Sequence, residues 1–273
     1  MLTVNTNVSA LAASRNLSNA QGALGDSLNK ISSGMRITKA ADDAAGLGVA
    51  TNLETHEGST RVAMRNANDG ISIIQTAEGA QNEVVDILQR MRELAVQSSS
   101  ETLHDDERAY IQDEVTELEE EVERLAAVTE FNGIQLGDGT TTQVSVQVGV
   151  ANASSSRITI DLGDLTSTTL GVNGTDLSTS SAARDAIDDI DAALNTMNGY
   201  RSDLGAVQNR LDSAISSASV YGENLASARS QIQDADYATE TANMTKNQIM
   251  QQAGVAALAQ AKGINQSVLS LIG

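Results

Sequence analysis

Residues 111–125, Ile-Gln-Asp-Glu-Val-Thr-Glu-Leu-Glu-Glu-Glu-Val-Glu-Arg-Leu, decide the architecture. Ile111, Val115, Leu118, Val122 and Leu125 recur at alternating steps of four and three, which aligns one apolar stripe on an α-helix facing a partner helix. Glu114, Glu117, Glu119, Glu120, Glu121 and Glu123 lie between them and read as a solvated face rather than a ligand site. Similar rows flank this helix. Upstream, Val84 and Met91 are seven apart, as are Ile87 and Leu94. Downstream, Leu204, Leu211, Ala218, Leu225 and Ile232 keep a strict seven-residue spacing, with Val207, Ala214, Tyr221 and Ala228 as a companion row. The expected fold is mainly α: an elongated antiparallel helical bundle or coiled coil.

Composition supports that reading. The 273 residues are 40% hydrophobic but only 2% aromatic, so burial rests on Leu, Ile, Val, Met and Ala, which suit narrow seams between helices. Proline is absent; because an interior proline removes a hydrogen bond and clashes with the preceding turn, this chain is free to run very long helices. Without cysteine there is no disulfide framework and no thiolate metal site. A net charge of −19 argues against nucleic acid as a partner, since phosphate contacts need clustered Lys and Arg. No stretch approaches the roughly 20 apolar residues that span a bilayer, so membrane insertion is not expected. The N-terminal MLTVNTNVSALAASRNL lacks the basic and apolar regions of a cleaved signal peptide.

Charge divides the chain into three. Residues 1–40 carry +3 and residues 236–273 carry 0, which leaves −22 on residues 41–235. The two weakly charged ends each hold a thin apolar row: Leu17, Leu24 and Ile31 with Leu28 and Met35 in the first, and Met244, Ile249, Leu258, Ile264 and Val268 in the last. Such ends call for partners. Ser-Ser-Gly-Met-Arg-Ile at 32–37 breaks the first helix, and Asp42-Asp43 suit the first turn of the next. The helix at 111–125 stops near Phe131-Asn132-Gly133. Residues 134–177 turn to Gly, Thr, Ser and Val; Gln143–Val150 and Arg157–Leu162 alternate as a strand pair after a turn at Asp138-Gly139. Helix returns from Ala182, and a last helix spans about Ala238–Leu271. This hairpin-like order places both termini in one paired-helix inner domain and the β segment far from it.

Chemistry finds no foothold. His56-Glu57-Gly58-Ser59-Thr60 begins like a helical zinc motif but has Thr where the second His belongs. Neither His56 nor His104 accompanies a nucleophile motif, and Gly137-x-Gly139 precedes a strand rather than a helix, so no phosphate cradle forms. Neighbouring carboxylates such as Asp188-Asp189 diverge by about 100° on a helix and cannot share a substrate. No catalytic, cofactor or metal residue is expected.

The words of this sequence closely resemble bacterial flagellin. They are Ile31–Ile37 (ISSGMRI), Ala41–Leu47 (ADDAAGL), Arg65–Ser72 (RNANDGIS), Gln89–Gln97 (QRMRELAVQ), Phe131-Asn132-Gly133, Asn209-Arg210-Leu211, Arg229–Ala238 (RSQIQDADYA) and Ser267–Ile272 (SVLSLI). The resemblance implies a non-enzymatic subunit that self-assembles into a helical filament. Residues 1–40 and 236–273 would form inner-tube helices, and 41–235, with the β segment 134–177, an outer-tube domain. Filament-core residues would be Leu17, Leu24, Leu28, Ile31, Met35, Ile249, Leu258, Ile264, Val268, Leu269 and Leu271. It further implies type III export without a cleaved signal, an export chaperone on the C-terminal helix, contact with hook-junction and cap proteins, and an extracellular place in the flagellum. Toll-like receptor 5 would read Gln89, Arg90, Leu94 and Glu114 on the monomer. The short middle implies a slim filament without large outer domains. The alternative that this resemblance leaves open is a hook-filament junction protein, similar to flagellin at its ends.

Overall fold

The computed structural model describes residues 6–272, with side chains described as far as residue 263. In order it comprises α1 (Val8–Ser33), α2 (Ala44–Ser98), α3 (Asp105–Val128), β1 (Glu130–Phe131), β2 (Ile134–Gln135), β3 (Gln143–Gln147), β4 (Arg157–Asp161), α4 (Ser167–Leu170), α5 (Ser180–Gln233) and α6 (Tyr237–Ile272). It is mainly helical. Two compact units emerge, residues 1–55 with 224–273 and residues 56–223.

In the first unit α1 and α6 pair antiparallel. Asn7 at the start of α1 caps its own helix, accepting from the Ala10 N–H at 2.9 Å, and donates to the Ala261 carbonyl late in α6. At the other end of α1, the Tyr237 hydroxyl donates to the Ile31 carbonyl at 2.9 Å. Midway, the backbone of Gly254 lies against Leu17, where an added Cβ would stand 3.4 Å from Leu17 Cδ1. The seam is small and polar: Ala20, Ser27 and Ala261 are buried, while Leu17, Leu24, Ile31 and Leu258 are half-buried. Gly34 ends α1 in the left-handed conformation (φ 71°) that favours glycine. The chain then zips to the segment between α5 and α6: Arg36 N–H donates to the Gln233 carbonyl, Ala235 N–H to the Gly34 carbonyl, and the Arg36 guanidinium to the Ile232 carbonyl. Asp43 caps α2 by accepting from the Gly46 N–H at 2.8 Å, and Asp42 accepts from the Thr38 and Lys39 N–H groups. The Thr38 backbone bond holds the Asp42 carboxyl below the ordinary carboxylate range.

The second unit is built on an unbroken stripe. On α2, Thr60, Ala63, Ala67, Gly70, Ile74, Ala77, Gln81, Val84, Leu88, Met91, Ala95 and Ser98 are all buried, at alternating steps of three and four. Its later half packs with Ile111, Val115, Val122 and Ala126 of α3 and with Ala183, Ala186, Ile190, Ala193 and Met197 of α5. The earlier half uses smaller residues because the β3–β4 ladder lies against it. A Cβ on Gly70 would stand 3.0 Å from Val146 Cγ2. Ile74, Ile160, Leu162, Leu204 and Leu211 complete this second cluster.

Three sequence expectations need adjustment. The α3 helix ends at Val128, and Asn132-Gly133 form instead the turn of a small β1–β2 hairpin, with φ of 50° and 78°; Asn-Gly accepts this left-handed pair with little strain. The 134–177 segment is only partly strand: β3 pairs antiparallel with β4 with Val146 opposite Ile158, and beyond Leu162 the chain is loop with the single turn α4. The companion row of α5 leaves the core after Val207, since Ala214 is half-buried and Tyr221 is 45% exposed, and in the first row Ala218 is half-buried between the buried Leu211 and Leu225.

Candidate assembly and recognition surfaces

The α1–α6 pair keeps apolar side chains in solvent. Val8 is 68% exposed, Leu11 63%, Leu28 48%, Ile249 60% and Val255 54%. Because the interior seam is made of Ala20, Ser27 and Ala261, the larger residues remain outside it, a patch that marks an interaction surface. Among the expected filament-core residues, Leu17, Leu24, Ile31, Met35 and Leu258 are half-buried within the unit, whereas Leu28 and Ile249 are exposed. The side chains of Ile264, Val268, Leu269 and Leu271 lie outside the described residues. Charge on this pair is sparse; Lys30 and Glu240 approach at 3.8 Å across the two helices.

The expected recognition residues come together on α2 and α3, with one correction. Arg90 donates through Nε and Nη2 to Glu114 Oε1 at 3.0 and 2.7 Å, and through Nη1 to Glu93 Oε2 at 3.2 Å. These bonds, led by that to Glu114, raise the guanidinium further above its ordinary value. Gln89 is exposed beside it. Leu94 is not accessible: at 2% exposure it belongs to the core, because its position falls on the buried side of α2. The outward face therefore consists of Gln89, Arg90, Glu93 and Glu114. Two residues along α2, on another side of the helix, Arg92 makes a second such pair with Asp191 of α5 at 2.6 Å, and the arginine's hydrogen bond keeps the Asp191 carboxyl below its usual range.

Arg108 was not singled out by the sequence reading, yet it is the most heavily committed charge in the unit. It is 5% exposed and donates to the carbonyls of Ser98, Leu103 and Ser100 at 3.0, 2.9 and 2.7 Å and to Asp105 Oδ1 at 3.3 Å. These carbonyls belong to the end of α2 and the turn into α3, where helix geometry leaves acceptors unsatisfied and a cation is favoured. The signal was present: Arg108 precedes Ile111 and Val115 on the same stripe, and a charge on a seam must find partners inside it.

Among the described residues no group of His, Asp and Glu is arranged to hold a metal, and no helix is long and apolar enough to cross a membrane. His104 stands at the start of α3, its N–H donating to Glu107 Oε2 at 3.0 Å, and reads as a helix terminus rather than a catalytic base.

Comparison with known proteins agrees with this geometry. The bacterial flagellin N-terminal helical region matches residues 4–142 and the C-terminal helical region residues 187–272. A flagellin of Halalkalibacterium halodurans is 41% identical over 269 residues, covering 98% of this chain and 99% of the relative. The flagellar filament 33 kDa core protein of Treponema phagedenis is 38% identical over 284 residues with the same coverage of this chain. Among solved structures, Bacillus cereus flagellin aligns with a TM-score of 0.50 at 27% identity, over 56% of this chain and 88% of that one. A Vibrio parahaemolyticus structure described as a putative flagellar hook-associated protein aligns with a TM-score of 0.58 at 15% identity, over 71% of this chain, a likeness of fold alone. With both helical regions matched and relatives similar from end to end, the chain belongs to the bacterial flagellin family as a structural subunit of the flagellar filament, and it is not an enzyme.

Proposed function

We propose that filament growth buries the α1–α6 pair of each subunit against the same pair of its neighbours, with Leu28 and Ile249 among the residues covered. The observation that carries this reading is the small, partly polar interior seam of the pair beside its exposed large apolar residues. A surface of that kind hides its apolar side chains only by associating with other copies, and contacts between unlike patches that do not close produce a filament. On this division, residues 1–40 and 236–273 line the inner tube and residues 41–235 form the outer one. The subunit leaves the cell by the flagellar type III route without a cleaved signal, with an export chaperone on α6 and with hook-junction and cap proteins at the filament ends.

The test is electron microscopy of purified chain with and without short filament seeds. Long uniform filaments support the reading, and a persistent monomer contradicts it. Leu28→Asp with Ile249→Asp is expected to slow seeded elongation about tenfold or more, because each would bury an unpaired carboxylate. Both positions are exposed in the monomer, so its melting temperature should hardly change. Elongation at the wild-type rate would remove these residues from the interface.

The monomer is also read by Toll-like receptor 5 through Gln89, Arg90 and Glu114, a preformed ionic face on two adjacent helices. Arg90→Ala with Glu114→Ala is expected to lower receptor activation strongly while leaving the fold intact, since exposed ion pairs contribute little to stability. Unchanged activation in a reporter-cell assay would discard this assignment.

A further inference from the structure

Two surfaces of the second unit carry complementary features that the fold itself leaves unused. One is an apolar groove of about 330 Å³ floored by Ala63 of α2 and Ala214 and Ala218 of α5, and walled by Val148 and Val150 at the β3–β4 tip. The adjoining recess holds Arg157 and Arg210, and neither lining contains a carboxylate. Among the described residues Arg157 donates to neutral acceptors, Gln147 Oε1 at 3.2 Å and Asn152 Oδ1 at 2.7 Å. Among the described residues no ion pair engages Arg157 or Arg210, whereas Arg61, Arg90, Arg92, Arg108, Arg124 and Arg184 all have carboxylate partners. In a chain of net charge −19, two exposed arginines beside an apolar groove whose lining holds no carboxylate make a local positive site.

The other surface is the outer stripe of α3. Asp106, Tyr110, Asp113, Glu117 and Glu120 follow at steps of four and three and therefore share one face. Tyr110 is 74% exposed, the most exposed of the large apolar or aromatic side chains in the described residues. The remaining acids of the helix are engaged: Asp105 with Arg108, Glu107 with the start of α3, Glu114 with Arg90, Glu119 with the Gly174 and Thr175 N–H groups, Glu121 with Arg124 and Glu123 with Ser167. The four acids flanking Tyr110 on the stripe have no such partner among the described residues.

We propose that the groove seats the α3 stripe of a second copy of this chain, with Tyr110 on the apolar floor and Asp113 and Glu117 against Arg157 and Arg210. The inference rests on the filament reading and adds to it a contact outside α1 and α6. Charge complementarity selects the occupant: the groove needs an aromatic side chain carried beside carboxylates, and α3 presents that combination. Tyr and Arg are also the side chains that most often anchor protein interfaces. Groove and stripe are different patches, so the contact is heterologous and repeats without closing. Its ionic part makes growth sensitive to salt and selective about partners.

Seeded elongation followed by light scattering and electron microscopy tests the contact, with thermal melting as the control for folding. Arg157→Glu with Arg210→Glu is expected to slow growth on wild-type seeds about tenfold or more without a change in melting, and Arg157→Gln with Arg210→Gln to slow it less. Asp113→Arg with Glu117→Arg should show the same defect from the other side. The variant carrying all four reversals should grow on seeds cut from its own filaments and fail on wild-type seeds, because the pairing is restored only among its own copies. Wild-type growth of the Arg157→Glu, Arg210→Glu variant on wild-type seeds, or no recovery by the fourfold variant on its own seeds, overturns the contact. Failure of the wild-type chain itself to elongate would instead overturn the filament reading on which the contact rests.

Discussion

Removal of residues 236–273 is expected to abolish filament growth, seeded or not, and to cost more helix than it deletes. The deleted part takes away the 36-residue α6, and the 26-residue α1 should lose its structure as well. In the intact unit α1 is held by the Ala20, Ser27 and Ala261 seam, by Asn7 on the Ala261 carbonyl and by Tyr237 on the Ile31 carbonyl, all of which need α6. Alone, a helix of that length with glycines at 22 and 25 and a mostly uncharged polar surface gains too little to offset the ordering of its backbone. Circular dichroism should therefore show a loss approaching both helices together. The second unit draws its core from residues 56–223 and should keep its own cooperative melt. Filaments from the truncated chain, or a helical loss confined to α6, would contradict the interdependence of the two ends.

That interdependence was visible in the sequence in outline and not in detail. The weak charge and thin apolar rows at both ends pointed to paired helices, and the Gly34 break, the β3–β4 ladder and the long α5 helix fell where spacing and turn chemistry placed them. The identity of the residues inside the α1–α6 seam was not legible, because a search for apolar repeats weights Leu and Ile and passes over Ala20 and Ser27, whose small size is what lets two backbones approach. Leu28 and Ile249 share the apolar rows of Leu17 and Leu258, yet they stand on the outside of the pair. Leu94 shows the opposite ambiguity: its heptad partner Ile87 marked it as a seam residue, and the structure places it in the core rather than on the recognition face. The small residues in the first half of the α2 stripe, Gly70 above all, make sense only once the β3–β4 ladder is seen against them. Such long-range contacts leave no periodicity of their own.

Arg108→Ala is expected to be among the most damaging single substitutions in the second unit, lowering its stability by about 3 kcal/mol or more. The guanidinium is buried and satisfies three backbone carbonyls at once, those of Ser98, Ser100 and Leu103, while Asp105 supplies the opposing charge. Alanine would strand those carbonyls where water enters poorly and leave a void below the α2–α3 turn. The same turn is tied to the chain entering α5, since Ser98 Oγ donates to the Leu177 carbonyl at 2.7 Å and Ser180 Oγ to the Ser99 carbonyl at 2.8 Å. Loosening it would thus free one end of all three long helices of this core. Arg108→Lys separates charge from geometry: a lysine keeps the cation but cannot reach several carbonyls in the fixed planar fork of arginine, so it should recover only part of the loss. Thermal and urea unfolding of the three proteins decides the matter. If lysine restores the full melting temperature, the site needs only a positive charge at the end of α2. If alanine costs less than about 1 kcal/mol, the carbonyls find other donors and Arg108 does not organise the turn.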